Sequence, residues 1–160
     1  MYSLRIHDAV KEEFAQLKAK NVDLAADVYV LISEVFTDSS VIQAMVEERY
    51  GENVSIVNIV RFLEMWHHGQ GDNIWRVKVQ ANAEKPEEVV EKMTSLSALK
   101  RLRFFYGLNR AAEEVWLLAF RERTTGKQGK DDIYDSKHEL RKILSRRCRE
   151  CGCVVVNSTL

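Results

Sequence analysis

Two apolar stretches, Leu102 to Leu108 (LRFFYGL) and Val115 to Arg123 (VWLLAFRER), stand only a few residues apart. The link between them, Asn109-Arg110-Ala111-Ala112-Glu113, has the length of a β-hairpin loop. This predicts paired strands over 101–108 and 114–122. A third stretch, Ile74 to Val79 (IWRVKV), alternates and reads as a strand ahead of the hairpin. Trp75, Val77 and Val79 share one of its faces, so Arg76 and Lys78 take the other.

The remaining periodicity is mostly helical. Residues 2–7 (YSLRIH) alternate and read as a short strand. Asp8 is placed to cap a helix to about Lys20, with Val10, Phe14 and Leu17 on one face. Asn21 breaks it, and Leu24, Val28, Leu31, Ile32 and Val35 give a second helix. Thr37 to Ser40 form a turn and cap cluster, and a third helix near 40–50 ends at Gly51. A fourth helix is predicted at about 54–67 from Val57, Val60, Phe62, Leu63 and Trp66, stopped by Gly69-Gln70-Gly71-Asp72. Pro86 followed by acids starts another at about 86–99. Thr124 to Lys130 is a polar loop, and 132–147 form a last helix with Ile133, Leu140, Ile143 and Leu144 inward. The order predicts an α+β fold: one small, mainly antiparallel sheet with N-terminal helices, helical insertions and a C-terminal helix.

At 160 residues the chain is expected to be a single domain over 1–147 with a Cys-containing tail over 148–160. No apolar run reaches about 18 residues, so no membrane span is expected. MYSLRIHDAVKEE lacks the apolar core of a secretory signal, which makes a cytoplasmic location the expectation. Cys148, Cys151 and Cys153 are odd in number, which argues against a disulfide framework. A zinc site would need a fourth ligand from His67, His68 or His138, so reduced thiols on a loose tail are the simpler expectation.

The formal net charge is zero but unevenly spread. Residues 1–99 carry 10 Lys/Arg against 16 Asp/Glu, whereas residues 100–149 carry 14 against 7. The basic half points toward a polyanion. Lys78, Arg76, Arg103, Arg121 and Arg123 converge if the predicted strands pair, and guanidinium forks match phosphate oxygens. Arg101, Lys127 and Lys130 lie close enough in sequence to add phosphate contacts. Tyr134 and His138, four apart, share a helix face, and histidine is the commonest general acid or base. Strand-end cations often simply reach solvent, so the cluster rather than any one residue carries the inference. No H-E-x-x-H pair, phosphate-binding P-loop, nucleophile elbow or dinucleotide fingerprint is present, which removes the enzyme classes that need them.

IWRVKV, LRFFYGL, VWLLAFRER and IYDSKHELRKIL, taken in order, resemble the core of the RelE/ParE/HigB superfamily of bacterial toxins. YSLRIHDAVKEEFAQL is similar to the family's first strand and helix. The resemblance covers roughly 1–36, 74–79 and 101–145, with helical insertions at about 39–68 and 86–99. It implies the toxin of a type II toxin–antitoxin pair, cleaving mRNA on the ribosome by attack of the RNA 2′-OH on its own 3′ phosphate, without metal or cofactor. By position, Lys78 matches the family's strand lysine, Arg103 its strand arginine, and Arg123 or Arg121 the arginine ending the next strand. Tyr134 matches the C-terminal tyrosine, with His138 a nearby alternative that would act as acid. The resemblance also implies a cognate antitoxin lying over the basic face. Two other outcomes are compatible with it: a non-enzymatic toxin binding a protein such as gyrase, or an inactive phage-derived interaction protein.

Overall fold

The computed structural model describes residues 1–47, 49, 51, 53–61, 74–80, 88–123 and 139–153. Its strands are β1 (Ser3–Ile6), β2 (Asn53–Val54), β3 (Val57–Arg61), β4 (Ile74–Val79), β5 (Leu102–Asn109) and β6 (Glu114–Glu122). They form one sheet in the order β1-β6-β5-β4-β3-β2. β1 runs parallel to β6, and every other neighbouring pair is antiparallel. The helices are α1 (Asp8–Lys20), α2 (Val22–Val30), α3 (Ser39–Val46), α4 (Glu88–Glu91), α5 (Leu96–Leu99) and α6 (Glu139–Glu150). The α+β class expected from the sequence is therefore the observed one.

Alternation along the strands splits the core in two. On one face Val77, Phe104, Tyr106, Leu117 and Phe120 pack against Val10, Val28, Leu31, Phe36, Val41 and Met45 from the N-terminal helices. Phe104 is the hub, with Phe36 edge-on at 5.3 Å and Phe120 tilted at 5.8 Å. On the other face Ile74, Phe105, Leu118 and Ala119 lie under Leu140, Leu144 and Cys148 of α6. Lys78 and Arg103, paired across β4 and β5, lie on this second face as well.

Several predicted elements take a different form. The helix expected at about 54–67 is instead the β2–β3 ribbon over its described part, and 62–67 lie outside the described residues. Val54, Ile56, Val57, Ile59 and Val60 are β-branched; Val57, Ile59 and Val60 pair with β4, and Val54 of β2 pairs with Val57. The cap of α1 sits one residue earlier than expected, because His7 Nδ1 rather than Asp8 accepts from Ala9 N–H. The second helix continues past α2 as a π-helical turn, Leu31–Val35, which keeps Leu31 and Val35 in the core.

The helix expected over 86–99 is broken into α4 and α5 around Thr94 and Ser95. Asp27, buried on α2, accepts from the Thr94 N–H at 2.9 Å and the Ser95 N–H at 2.6 Å. Those amides serve the carboxylate instead of a continuous helix. Asp27→Leu is expected to cost roughly 2–3 kcal/mol, read as a lower denaturation midpoint, because both amides lose their acceptor.

The cysteine segment is packed rather than loose. Cys148 belongs to α6, and Cys148, Cys151 and Cys153 are all buried against the sheet. Asn109, at the end of β5, donates from Nδ2 to the Cys151 carbonyl at 3.0 Å. Gly152 ends the helix at φ +70°, and a Cβ there would lie 2.7 Å from Asn109 Nδ2. Gly152→Ala is therefore expected to destabilise the chain by roughly 1–3 kcal/mol, measurable by thermal melting.

Candidate functional site

Strand register decides which cations meet. Asn58 pairs with Lys78, Lys78 with Arg103, and Arg103 with Arg121, so the four stand in one row on one face of the sheet. A β-bulge makes this possible. Phe105 pairs with Ala119 but Tyr106 pairs with Leu117, leaving Leu118 as the extra residue of β6. With uninterrupted alternation, Arg121 would share the face of Val115 and Leu117, beneath the N-terminal helices. The bulge turns Arg121 to the side of Arg103 and leaves Phe120 in the helix-covered core.

Lys78 is the electrostatic centre of the row. Its pKa lies below the ordinary lysine value, first because partial burial disfavours the ammonium, then because Arg103, Arg76 and Arg123 surround it with like charge. Four of the cations expected from the sequence are thus brought together. Arg103 is held at the start of β5 by donating from one nitrogen to the Lys100 carbonyl at 2.8 Å and the Leu102 carbonyl at 3.0 Å. Arg123 follows β6, and its N–H bonds the Arg101 carbonyl at 2.8 Å, which ties the end of the hairpin beside Lys78.

The other expected cations have different surroundings. Arg121 grips Glu13 of α1 with two nitrogens, at 2.9 and 3.2 Å. Its charge is committed to an internal pair and is poorly placed to be spent on a ligand. Arg101 makes a long 3.8 Å contact with Glu122, both side chains being largely exposed. Such a pair is weak and easily exchanged for a phosphate. Tyr134, His138, Lys127 and Lys130 lie outside the described residues, as do His67 and His68. Among the described residues no group of three His, Cys, Asp or Glu side chains is arranged to hold a metal ion.

Asn58 is the residue that sequence reading missed. It is 7% exposed and stands directly across from Lys78. The mistaken helix over 54–67 hid it. The β-branched run on either side of it was the available signal.

Chemically, the cluster offers two functions on one surface. Guanidiniums can bind and neutralise a phosphodiester. A lysine with a lowered pKa gives up its proton more readily than a solvated one, which is what a general base requires. Among the described residues no helix is long and apolar enough to cross a membrane. Comparison with protein-family models, with curated proteins and with solved structures finds no match to this chain.

Proposed function

We propose that the chain is the toxin of a type II toxin–antitoxin pair, a RelE-like endoribonuclease that cleaves mRNA on the ribosome. The observation that carries this reading is Lys78 paired across the sheet with Arg103, with Arg76 and Arg123 near enough to depress its pKa. In this mechanism neutral Lys78 takes the proton of a ribose 2′-OH. The 2′-oxygen attacks the adjacent 3′ phosphorus, and Arg103 and Arg123 neutralise the charge that builds on the phosphoryl oxygens. The 5′ oxygen leaves with a proton from His138, Tyr134 stacks on the base or orients the 2′-OH, and a 2′,3′-cyclic phosphate remains. Arg76, Arg101, Lys127 and Lys130 extend the contact along the RNA backbone. The step uses no metal and no cofactor. A cognate antitoxin neutralises the protein by covering the cationic face.

Primer extension on cellular mRNA after expression of the chain tests this. Discrete, ribosome-dependent cleavage sites are the expected result. Growth arrest should be lost in Arg103→Ala and weakened in Tyr134→Phe.

One observation favours a second reading. The zero formal net charge is unusual for a protein whose affinity rests on phosphate neutralisation, and it suits a toxin of the same architecture that binds a protein such as gyrase. Growth arrest that survives both substitutions, with intact mRNA, selects that reading. Absence of any toxicity selects an inactive interaction protein.

A further inference from the structure

We infer that Cys148 and Cys153 are an oxidation site: a low-molecular-weight disulfide such as oxidised glutathione converts them to an intramolecular disulfide across the C-terminal cap of α6. The cap has the double-bonded form in which the helix end is closed twice. The Cys153 N–H bonds the Cys148 carbonyl at 2.8 Å, and the Gly152 N–H bonds the Arg149 carbonyl at 3.1 Å. In this motif the residue three before the cap and the second one beyond it touch side chain to side chain, normally as an apolar contact. Here both are cysteines, 0% and 1% exposed, and both belong to the cluster packed under α6. A disulfide needs Cα atoms roughly 4.4–6.8 Å apart, and the 2.8 Å backbone bond from Cys153 to Cys148 brings the two backbones together.

The third thiol is the wrong partner. Cys148 and Cys151 are three apart, and while helical geometry holds their Cβ atoms stand about 5–6 Å from each other, wider than an ordinary disulfide takes. Cys153 Sγ is directed at the Cys151 carbonyl, at 3.9 Å, and not at its sulfur. Cys151 instead borders a cavity of about 600 Å³ with His7, Trp116 and Glu150.

The reaction balances as two exchanges. Both sulfurs are buried, so the first exchange follows local opening of the α6 cap: one protein thiolate then attacks a sulfur of oxidised glutathione and expels glutathione thiolate. The second protein thiolate attacks the protein-bound sulfur and expels the other glutathione. Two protein thiols are oxidised, one external disulfide is reduced, and the two protons released are taken up by the glutathione thiolates. Geometry favours the product but the thiols resist the first step. The bond with Cys148 and then burial push the Cys153 thiol well up, and burial followed by Cys148 raises Cys151 to about 12. Oxidation is therefore slow near neutrality and accelerates by up to roughly tenfold per pH unit.

The test treats the reduced full-length chain with oxidised glutathione at about pH 7 and about pH 8.5, then alkylates the remaining thiols and maps them by mass spectrometry. Trypsin cuts after Arg149, which separates Cys148 from the other two cysteines. The expected product is Cys148-Arg149 joined to the peptide beginning at Glu150, with fragmentation placing the bridge on Cys153. It forms faster at the higher pH, persists in Cys151→Ala, is lost in Cys153→Ala, and raises the melting temperature of the oxidised chain. A bridge on Cys151 in the wild-type peptide, glutathione adducts alone, or no oxidation at either pH overturns the inference. Fragmentation of the wild-type peptide decides the pairing even where Cys153→Ala fails to fold.

Discussion

On the proposed endoribonuclease mechanism, Lys78→Met is expected to lower the rate of RNA cleavage by about 10²–10⁴-fold while making the folded chain more stable. Both effects come from the same surroundings. Burial removes part of the hydration of the Lys78 ammonium, and Arg103, Arg76 and Arg123 then press on it with like charge. The proton is therefore easier to lose, which suits the proposed role as base, and harder to keep, which penalises the fold. The sign follows from linkage. Lys78 has a folded pKa below its unfolded one, so across the interval between them the unfolded chain binds more protons. Stability from this group is reduced below the folded pKa and recovers as pH rises toward the ordinary lysine value. Methionine removes the charge and so removes the penalty at neutral pH.

The same logic sets the pH profile. With Lys78 as base and His138 as acid, cleavage should follow a bell-shaped pH profile, because one group must be neutral and the other protonated in the same complex. Lys78→Arg is the informative control. A guanidinium keeps the positive charge but stays protonated, so RNA affinity should persist while cleavage is lost. Single-turnover cleavage of ribosome-bound mRNA against pH, with melting curves on the same samples, reads all three effects. A Lys78→Arg variant that cleaves at the wild-type rate would remove lysine from the role of base.

Glu13→Ala is expected to have the largest effect on stability, about 3–5 kcal/mol. Glu13 lies between two guanidiniums, receiving Arg121 at 2.9 Å and Arg147 at 2.6 Å. The Arg147 side chain is 8% exposed and also donates to the Leu118 carbonyl at 2.8 Å. This one carboxylate therefore ties α1 to β6 and to α6, and meets the sheet at the bulge that aims the cation row. Removing it leaves two arginines in poor contact with water and with no counter-charge between them. Glu13→Gln keeps the shape and one acceptor, so it should fall between the alanine variant and the wild type. Urea denaturation of the three proteins measures the order. A midpoint for Glu13→Ala equal to the wild type would mean that the triad contributes nothing net.

The hairpin, the first strand, the first helix and the α+β class were legible because they rest on local signals: period-2 or period-3.6 alternation and a short polar link. The β2–β3 ribbon was not. Its run of valines and isoleucines reads equally as a buried helix, and only the open edge of β4 settles the choice. The broken helix around Thr94 was hidden for a related reason, since the carboxylate that interrupts it stands 67 residues away on α2.

The candidate site divides the same way. Alternation alone determined that Arg76 and Lys78 share a face of β4, and that cations crowd the C-terminal half. Which of them meet was decided by register and by the β6 bulge, because a single extra residue reverses the facing of everything after it. Tertiary structure also committed the charge of Arg121 to an internal pair, by placing Glu13 against it. It turned the three cysteines from a tail into the packed cap of a helix. A sequence fixes which side chains a strand or helix can present; only the assembled sheet determines which charges share a surface and which neutralise each other.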